Sequence, residues 1–358
     1  MEIAPSYDGS GLVNLVSELE LRMTGASLFP GLADASAIPD ADTYVLVLFD
    51  GLGVAQLDHG DATDFRSAMA GVLDAPFPTM TNVSLASVAT GSSPSRHGQV
   101  AHLTWYPDLD KVVNTLKWVT LGGDHVPYDY AGLLPRPNMW ERLRQEGVEP
   151  ITVQPGDFQT SPLTREMYRG ARFEGAWDAS DLARATVSLA SEPGRLVFTY
   201  VPFVDFAGHV FGQGSDEFGE AMRLAAAVWH GIVSELPLGA VVVGTSDHGL
   251  VEVTEADKLL VRDPVFDALR FAGDPRGVQV WGEPVLIDDL VSFTGGSVAD
   301  PAPLLGPDMS ADARSRLGEK VILAPTGQVI LPRGFDKRLR CYHGGLSDEE
   351  LKIPLLVG

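Results

Sequence analysis

The chain has 358 residues, 45% of them hydrophobic and 21% charged, an ordinary balance for a globular protein long enough to bury a large core. Against 26 Lys and Arg stand 48 Asp and Glu, a net charge of −22, so the whole-molecule field repels nucleic-acid polymers and anionic membranes. A single cysteine, Cys341, excludes an intrachain disulfide and a cysteine-based metal site.

The first residues, MEIAPSYDGSGLVNLVSELELRM, lack the basic start, apolar run and small-residue cleavage site of a signal peptide. The longest apolar runs are far too short to cross a bilayer. A cytoplasmic location is therefore the default expectation. Oligomeric state stays open.

Residues 44–49, YVLVLF, form a continuous apolar run that breaks at Asp50-Gly51-Leu52-Gly53. A strand buried on both faces of a parallel sheet has this appearance. Similar runs recur at 151–154, 196–201, 240–245, 321–324 and 353–357. Between them, residues 139–147, 180–191 and 216–236 carry apolar side chains at spacings of three and four, as helices do. This alternation predicts an α/β three-layer sandwich with a mostly parallel central sheet, which gathers ligands at the carboxyl ends of its strands. Residues 252–338 are richer in Pro and Gly, with short strands expected at GVQVWG and EPVLID. They are expected to form a smaller capping insert on a core made of residues 1–251 and 339–358.

The stretch FPTMTNVSLASVATGSSPSRHG, residues 77–98, is rich in hydroxyls. Val83, Ala86 and Ala89 or Thr90 line one helical face, Gly91 ends it, and Pro94 lies just beyond. The helix is thus predicted to start near Thr81-Asn82. A hydroxyl there meets the positive end of the helix dipole, among unpaired N–H groups suited to phosphoryl oxygens.

Metal-ligand residue types recur where apolar runs end or restart: Asp50, Asp205 with His209, Asp247 with His248, and His343. Asp and His donors suit zinc. Taken singly, each has a plainer reading as a turn cap or a structural histidine. Together they are stronger, because three of eight histidines fall beside Gly at strand ends.

The set resembles the alkaline phosphatase superfamily, in particular its nucleotide pyrophosphatase/phosphodiesterase branch. LFDGLG, PTMTN, TGSSPSRHG, DFAGH, TSDHG and HGG occur in that family's order, from about Tyr44 to the C-terminus. The resemblance implies a nucleophilic threonine ten residues before the Gly of the TG…P…HG motif, and Thr81 stands ten before Gly91. Thr79, Ser84 and Ser87 are then turn, cap and helix hydroxyls. It further implies two zinc ions, one on Asp205, His209 and His343, the other on Asp50, Thr81, Asp247 and His248; Mn²⁺ or Fe would suit the same donors. Three carboxylates and a Thr alkoxide balance two divalent cations while the histidines stay neutral.

The family has an Asn after the HG that helps hold a phosphoryl oxygen, whereas here His102 stands at that place. Either His102 or Asn114 could fill the role, and with Asn82 they form the candidate substrate contacts. Asn82-Val83-Ser84 also replaces the family's Phe-Pro-Asn after the nucleophile. A sulfatase reading of Ser92-Ser93-Pro94-Ser95-Arg96 fails on position, since that signature would begin at Thr81, which cannot become formylglycine. Arg96-His97 is expected to be structural or to act behind the site.

No basic residue occurs from Thr81 to Ser95, which favours singly charged diesters or pyrophosphate bonds unless the cap contributes a cation. The expected activity is a two-metal phosphodiesterase or nucleotide pyrophosphatase acting on a small molecule through a phosphothreonine. A phosphomonoesterase or phosphonate hydrolase with the same metals is the alternative, and an inactive metal- and nucleotide-binding module a third. Trp105, Tyr106, Trp118 and Tyr128 are candidates to stack on a leaving group, although aromatics at such spacing more often belong to the core.

Overall fold

The computed structural model describes residues 4–127 and 132–358. Its central sheet has seven strands in the order Met69–Asp74, Lys352–Val357, Ala240–Ser246, Thr43–Phe49, Arg195–Val201, Glu149–Pro155, Arg172–Ala176. From Ala240–Ser246 outward the strands run parallel, while Lys352–Val357 is antiparallel to both its neighbours.

Thr43–Phe49 is buried along its whole length because alternate side chains enter different cores. Tyr44, Leu46 and Leu48 pack with the Leu12–Thr24 and Met139–Gln145 helices. Val45, Val47 and Phe49 pack on the other side with the Ala179–Ala190 and Asp216–Glu235 helices. The strand period of two divides the run between two layers, which makes the three-layer sandwich.

The helices follow their sequence logic. In Asp216–Glu235, Phe218, Met222, Ala225, Trp229 and Ile232 form the buried stripe. The Ser215 hydroxyl accepts the Phe218 N–H at 3.1 Å, and Asp216 and Glu217 oppose the dipole in the first turn. The Leu12–Thr24 helix was not anticipated, although Gly25 in the left-handed region ends it.

A second, antiparallel sheet lies in the order Ser297–Ala299, Lys320–Leu323, Gly277–Trp281, Arg270–Asp274, Leu103–Tyr106, Lys111–Asn114, Val119–Thr120. Its last three strands come from outside 252–338, so this sheet is built from two separate stretches of chain. The run at 321–324, expected in the parallel sheet, belongs to this one. The segment EPVLID is no strand but the start of the Pro284–Thr294 helix. Pro at its first turn, Ile287, Leu290 and Thr294 buried at intervals of three and four, and Gly295 in the left-handed region are helix features that emerge only over the longer window.

The parallel register builds the site. Phe49 pairs with both Val201 and Ser246, so three adjacent strands end in one row. Asp50 and Asp247 follow directly, and Asp205 enters at the start of the Phe203–Phe211 helix. No helix among the described residues is long and apolar enough to cross a membrane.

Leu46 is fully buried in the layer beneath the Leu12–Thr24 helix. Leu46→Ala is expected to cost about 2–5 kcal/mol of stability, read as a lower urea midpoint with an unchanged slope.

Candidate metal centre

The strand ends place the sequence-derived ligands in two groups. Asp205, His209 and His343 form one and Asp50, Asp247 and His248 the other, with the ligand atoms of each group within 4.8 Å of one another. The groups share a wall, since the His248 and His343 rings stack at 3.6 Å with planes 13° apart. Gly51 joins them: its φ of +75° and its approach to Asp205, where a Cβ would lie 2.9 Å from the Asp205 Cα, require glycine. Its N–H donates to Asp247 Oδ1 at 3.1 Å.

The three imidazoles are oriented alike. His209 Nδ1 meets the Cys341 carbonyl at 2.7 Å, His343 Nδ1 the Thr79 carbonyl at 2.8 Å, and His248 Nδ1 the Gly249 carbonyl at 3.1 Å. A carbonyl only accepts, so each Nδ1 carries a proton and each ring turns its Nε2 inward, where a lone pair can meet a cation.

In the first group, acceptors then converge without a donor between them among the described residues. His343 Nε2 lies 3.2 Å from His209 Nε2, and Asp205 Oδ1 lies 3.3 and 3.6 Å from those two nitrogens. Asp205 Oδ1 and Asp247 Oδ2 are buried with no hydrogen-bond partner among the described residues. Such an arrangement is repulsive unless a cation occupies its centre. Burial first, then Asp247 and Asp205, push the Asp50 carboxyl well above the ordinary carboxylate range. Burial and the neighbouring histidines push His343 well below the ordinary imidazole range. A divalent ion reverses the carboxylate shift and favours the neutral imidazoles. The residues present therefore fit a pair of divalent cations.

Thr81 opens the Thr81–Thr90 helix, as expected. Its Oγ1 is 3.1 Å from His248 Nε2 and 3.5 Å from Asp50 Oδ1, within the second group. Met80 O receives the N–H groups of Val83 and Ser84, leaving those of Thr81 and Asn82 without an acceptor among the described residues. Tyr200, which the sequence reading missed, donates a short hydrogen bond to Asp50 Oδ2. A tyrosine inside an otherwise apolar strand was its only signal.

A cavity of about 610 Å³ opens above Thr81, Asp205, His209 and His343. His102 and Asn114 line it. Burial first, then His209 and Lys117, hold His102 down to about 4, so at neutral pH its ring has one N–H rather than two. Asn114 Oδ1 accepts the N–H groups of Leu116 and Lys117 at 3.1 Å each, and the Asn114 side chain also hydrogen-bonds His102, opposing the larger effect of burial on that ring. The Asn82 side chain is a correction to expectation. It is fully buried, with Nδ2 donating to Ala101 O at 2.9 Å and Thr115 Oγ1 at 3.0 Å; its unpartnered Oδ1 is an acceptor, so the backbone N–H is the donor left for a phosphoryl oxygen.

The cap also brings cations that no motif announced. Lys117 and Arg338 line the cavity. Arg338 is engaged by Asp336, while Lys117 makes no ion pair among the described residues. Trp105, Tyr106 and Trp118 are buried in the core, where the Tyr106 and Trp118 rings lie 5.7 Å apart. Tyr128 lies outside the described residues.

Ser87 and His97 form a second hydroxyl–imidazole pair, Oγ to Nε2 3.0 Å. The Gln99 N–H donates to His97 Nδ1 at 3.1 Å, so Nε2 holds the proton and donates to Ser87. That tautomer cannot deprotonate the serine. Among the described residues, Arg96 donates to the Leu28 carbonyl, at 3.3 Å.

The fold and the paired acceptor groups define a class, the metal-dependent hydrolases of phosphoric esters within the alkaline phosphatase superfamily. The chain belongs to the type I phosphodiesterase/nucleotide pyrophosphatase family, whose pattern matches residues 44–274. Its fold is that of murine ectonucleotide pyrophosphatase/phosphodiesterase 5, at 18% identity and a TM-score of 0.62 over 88% of this chain and 87% of that one. The human counterpart gives 18% and 0.63 over 88% and 87%. A phosphonoacetate hydrolase from Sinorhizobium meliloti gives 18% and 0.65 over 89% of this chain and 91% of that one. None of the curated proteins matches the chain in sequence.

Chelator-stripped protein is expected to take up two equivalents of Zn²⁺ per chain and to melt at higher temperature when loaded. At a free concentration 100 times the Kd, each site adds about 2.7 kcal/mol. Isothermal titration and thermal melts check this.

Burial first, and Arg316 second, hold His97 down to about 3. Its contribution to stability is complete above the unfolded value near 6.5 and is lost as pH falls from there toward 3, where the unfolded chain binds a proton the folded chain excludes. Urea titrations at pH 7.5, 6 and 5 are expected to show a steeper loss for the parent than for His97→Gln.

Proposed function

We propose that this chain hydrolyses phosphate diester or phosphoanhydride bonds of a small molecule through a phosphorylated Thr81. The observation that carries the reading is the position of Thr81 Oγ1, 3.1 Å from His248 Nε2 at a helix N-terminus on the cavity floor. Two zinc ions, one on Asp205, His209 and His343 and one on Asp50, Thr81, Asp247 and His248, would supply Lewis-acid stabilisation of phosphoryl charge and acidify the Thr81 hydroxyl. Mn²⁺ or Fe suits the same donors.

Thr81 Oγ1 forms a bond to phosphorus as the bond to the leaving oxygen breaks. The hydroxyl proton passes to solvent, and the leaving oxygen takes one up. Water then attacks the phosphothreonine, its oxygen stays on phosphorus, and Thr81 Oγ1 regains a proton. The N–H groups of Thr81 and Asn82 and the Asn114 amide are placed to hold phosphoryl oxygens while charge develops. Neutral His102 keeps one N–H that could donate to the same oxygens.

One observation favours a second reading, the hydrolysis of a phosphonate. Lys117, unpaired among the described residues, stands on the cavity wall, where it would attract a second anionic group on the substrate. The Sinorhizobium meliloti protein was solved with phosphonoacetate and with phosphonoformate, whereas an inactive murine ectonucleotide pyrophosphatase/phosphodiesterase 5 was solved with AMP. In that reading a P–C bond breaks and the leaving carbon takes up the proton.

Zn²⁺-loaded protein is expected to cleave bis-(p-nitrophenyl) phosphate faster than the monoester, and Thr81→Ala is expected to lower kcat at least about a thousandfold. Turnover of phosphonoacetate in preference to the diester, with Lys117→Ala raising KM for the phosphonate alone, moves the assignment to the second reading. Ligand-dependent thermal stabilisation with no turnover of any substrate leaves the inactive binding module.

A further inference from the structure

Two residues before Thr81 stands a hydroxyl that the sequence reading passed over. Thr79 is fully buried and meets three consecutive residues of the closing loop. Its carbonyl accepts His343 Nδ1–H at 2.8 Å, its hydroxyl accepts the Gly344 N–H at 2.9 Å, and the same hydroxyl donates to the Gly345 carbonyl at 3.1 Å. These contacts bridge more than 260 residues of chain. One end belongs to the first acceptor group through His343, and the other continues through Met80 into Thr81 of the second.

The closing loop has little shape of its own in this region. Gly344 has a φ of +115°, and a Cβ on it would lie 2.6 Å from the Asp274 Cβ, so the backbone needs an external template to hold it. Thr79 supplies one side. The other side is the buried Arg276–Glu350 pair: Glu350 Oε1 lies 2.8 Å from Arg276 Nη2 and accepts the Ser347 N–H at 3.2 Å, while Oε2 accepts the Gly345 N–H at 2.9 Å. Only the Thr79 side touches the His343 ring.

From this geometry we infer that Thr79 is a positioning residue, whose hydroxyl sets the spacing between the two metal groups by locking the His343-Gly344-Gly345 backbone to the Thr81 segment. The inference rests on the dinuclear reading above. The carbonyl bond alone fixes the His343 tautomer, but a ring on a loose backbone still moves. The hydroxyl, donating and accepting at once, is what fixes the backbone that carries the ring.

The test uses the full chain, stripped with chelator and titrated with Zn²⁺ and separately with Co²⁺. Thr79→Val keeps the shape and removes the hydroxyl. It is expected to weaken Zn²⁺ binding about 10–100-fold, to shift the visible spectrum of the Co²⁺-loaded protein, and to lower kcat more than it changes KM. Thr79→Ser restores the hydroxyl and is expected to return Zn²⁺ affinity and the Co²⁺ spectrum to near those of the parent. Parental affinity and spectrum in Thr79→Val overturn the assignment, as does a serine variant damaged as much as the valine one. If Thr79→Val does not fold, amide exchange of the parent decides: Gly344 protection that increases when Zn²⁺ binds supports the assignment, and any other result overturns it. A parent chain that binds neither Zn²⁺ nor Co²⁺ instead refutes the dinuclear reading itself.

Discussion

Everything in the centre of this molecule follows from a convergence of acceptors. Carboxylate oxygens and imidazole lone pairs from four distant segments meet with fewer donors than acceptors among the described residues, and two of the oxygens are buried without a partner. Left alone, such a cluster opposes folding, because burial and mutual repulsion both work against it. Divalent cations turn the same atoms into a source of cohesion.

The scaffold solves the placement problem by register rather than by local motif geometry. Three neighbouring parallel strands end level with one another, so ligands that follow directly from them start within a few ångströms. Gly51, Thr79 and the stacked His248 and His343 rings tie the remaining loops to that row. The helix beginning at Thr81 presents its N-terminus to the same point, which adds a positive field where phosphoryl charge would sit.

The antiparallel cap does different work. Its strands come from both sides of a long stretch of core, and they carry Asn114 and Lys117 over the metal groups. In a chain of net charge −22, a lysine unpaired among the described residues beside a cation-binding centre makes a local attractor for anions within a repelling field.

By itself the sequence determined the layers and the ligand types. Continuous apolar runs identified YVLVLF, which breaks at Asp50-Gly51, and AVVV as buried strands, because a strand covered on both faces has no place for polar alternation. The spacing from Thr81 to Gly91 fixed where a hydroxyl would meet a helix start. Sequence could not place 321–324 in the second sheet or see the Pro284–Thr294 helix in six residues, since a short apolar run has no memory of its partner strand. Nor could it find Tyr200 behind Asp50, expose Lys117 on the cavity, or lift Thr79 above its neighbouring hydroxyls. Those assignments depend on which donor faces which acceptor across hundreds of residues, and only tertiary packing decides that.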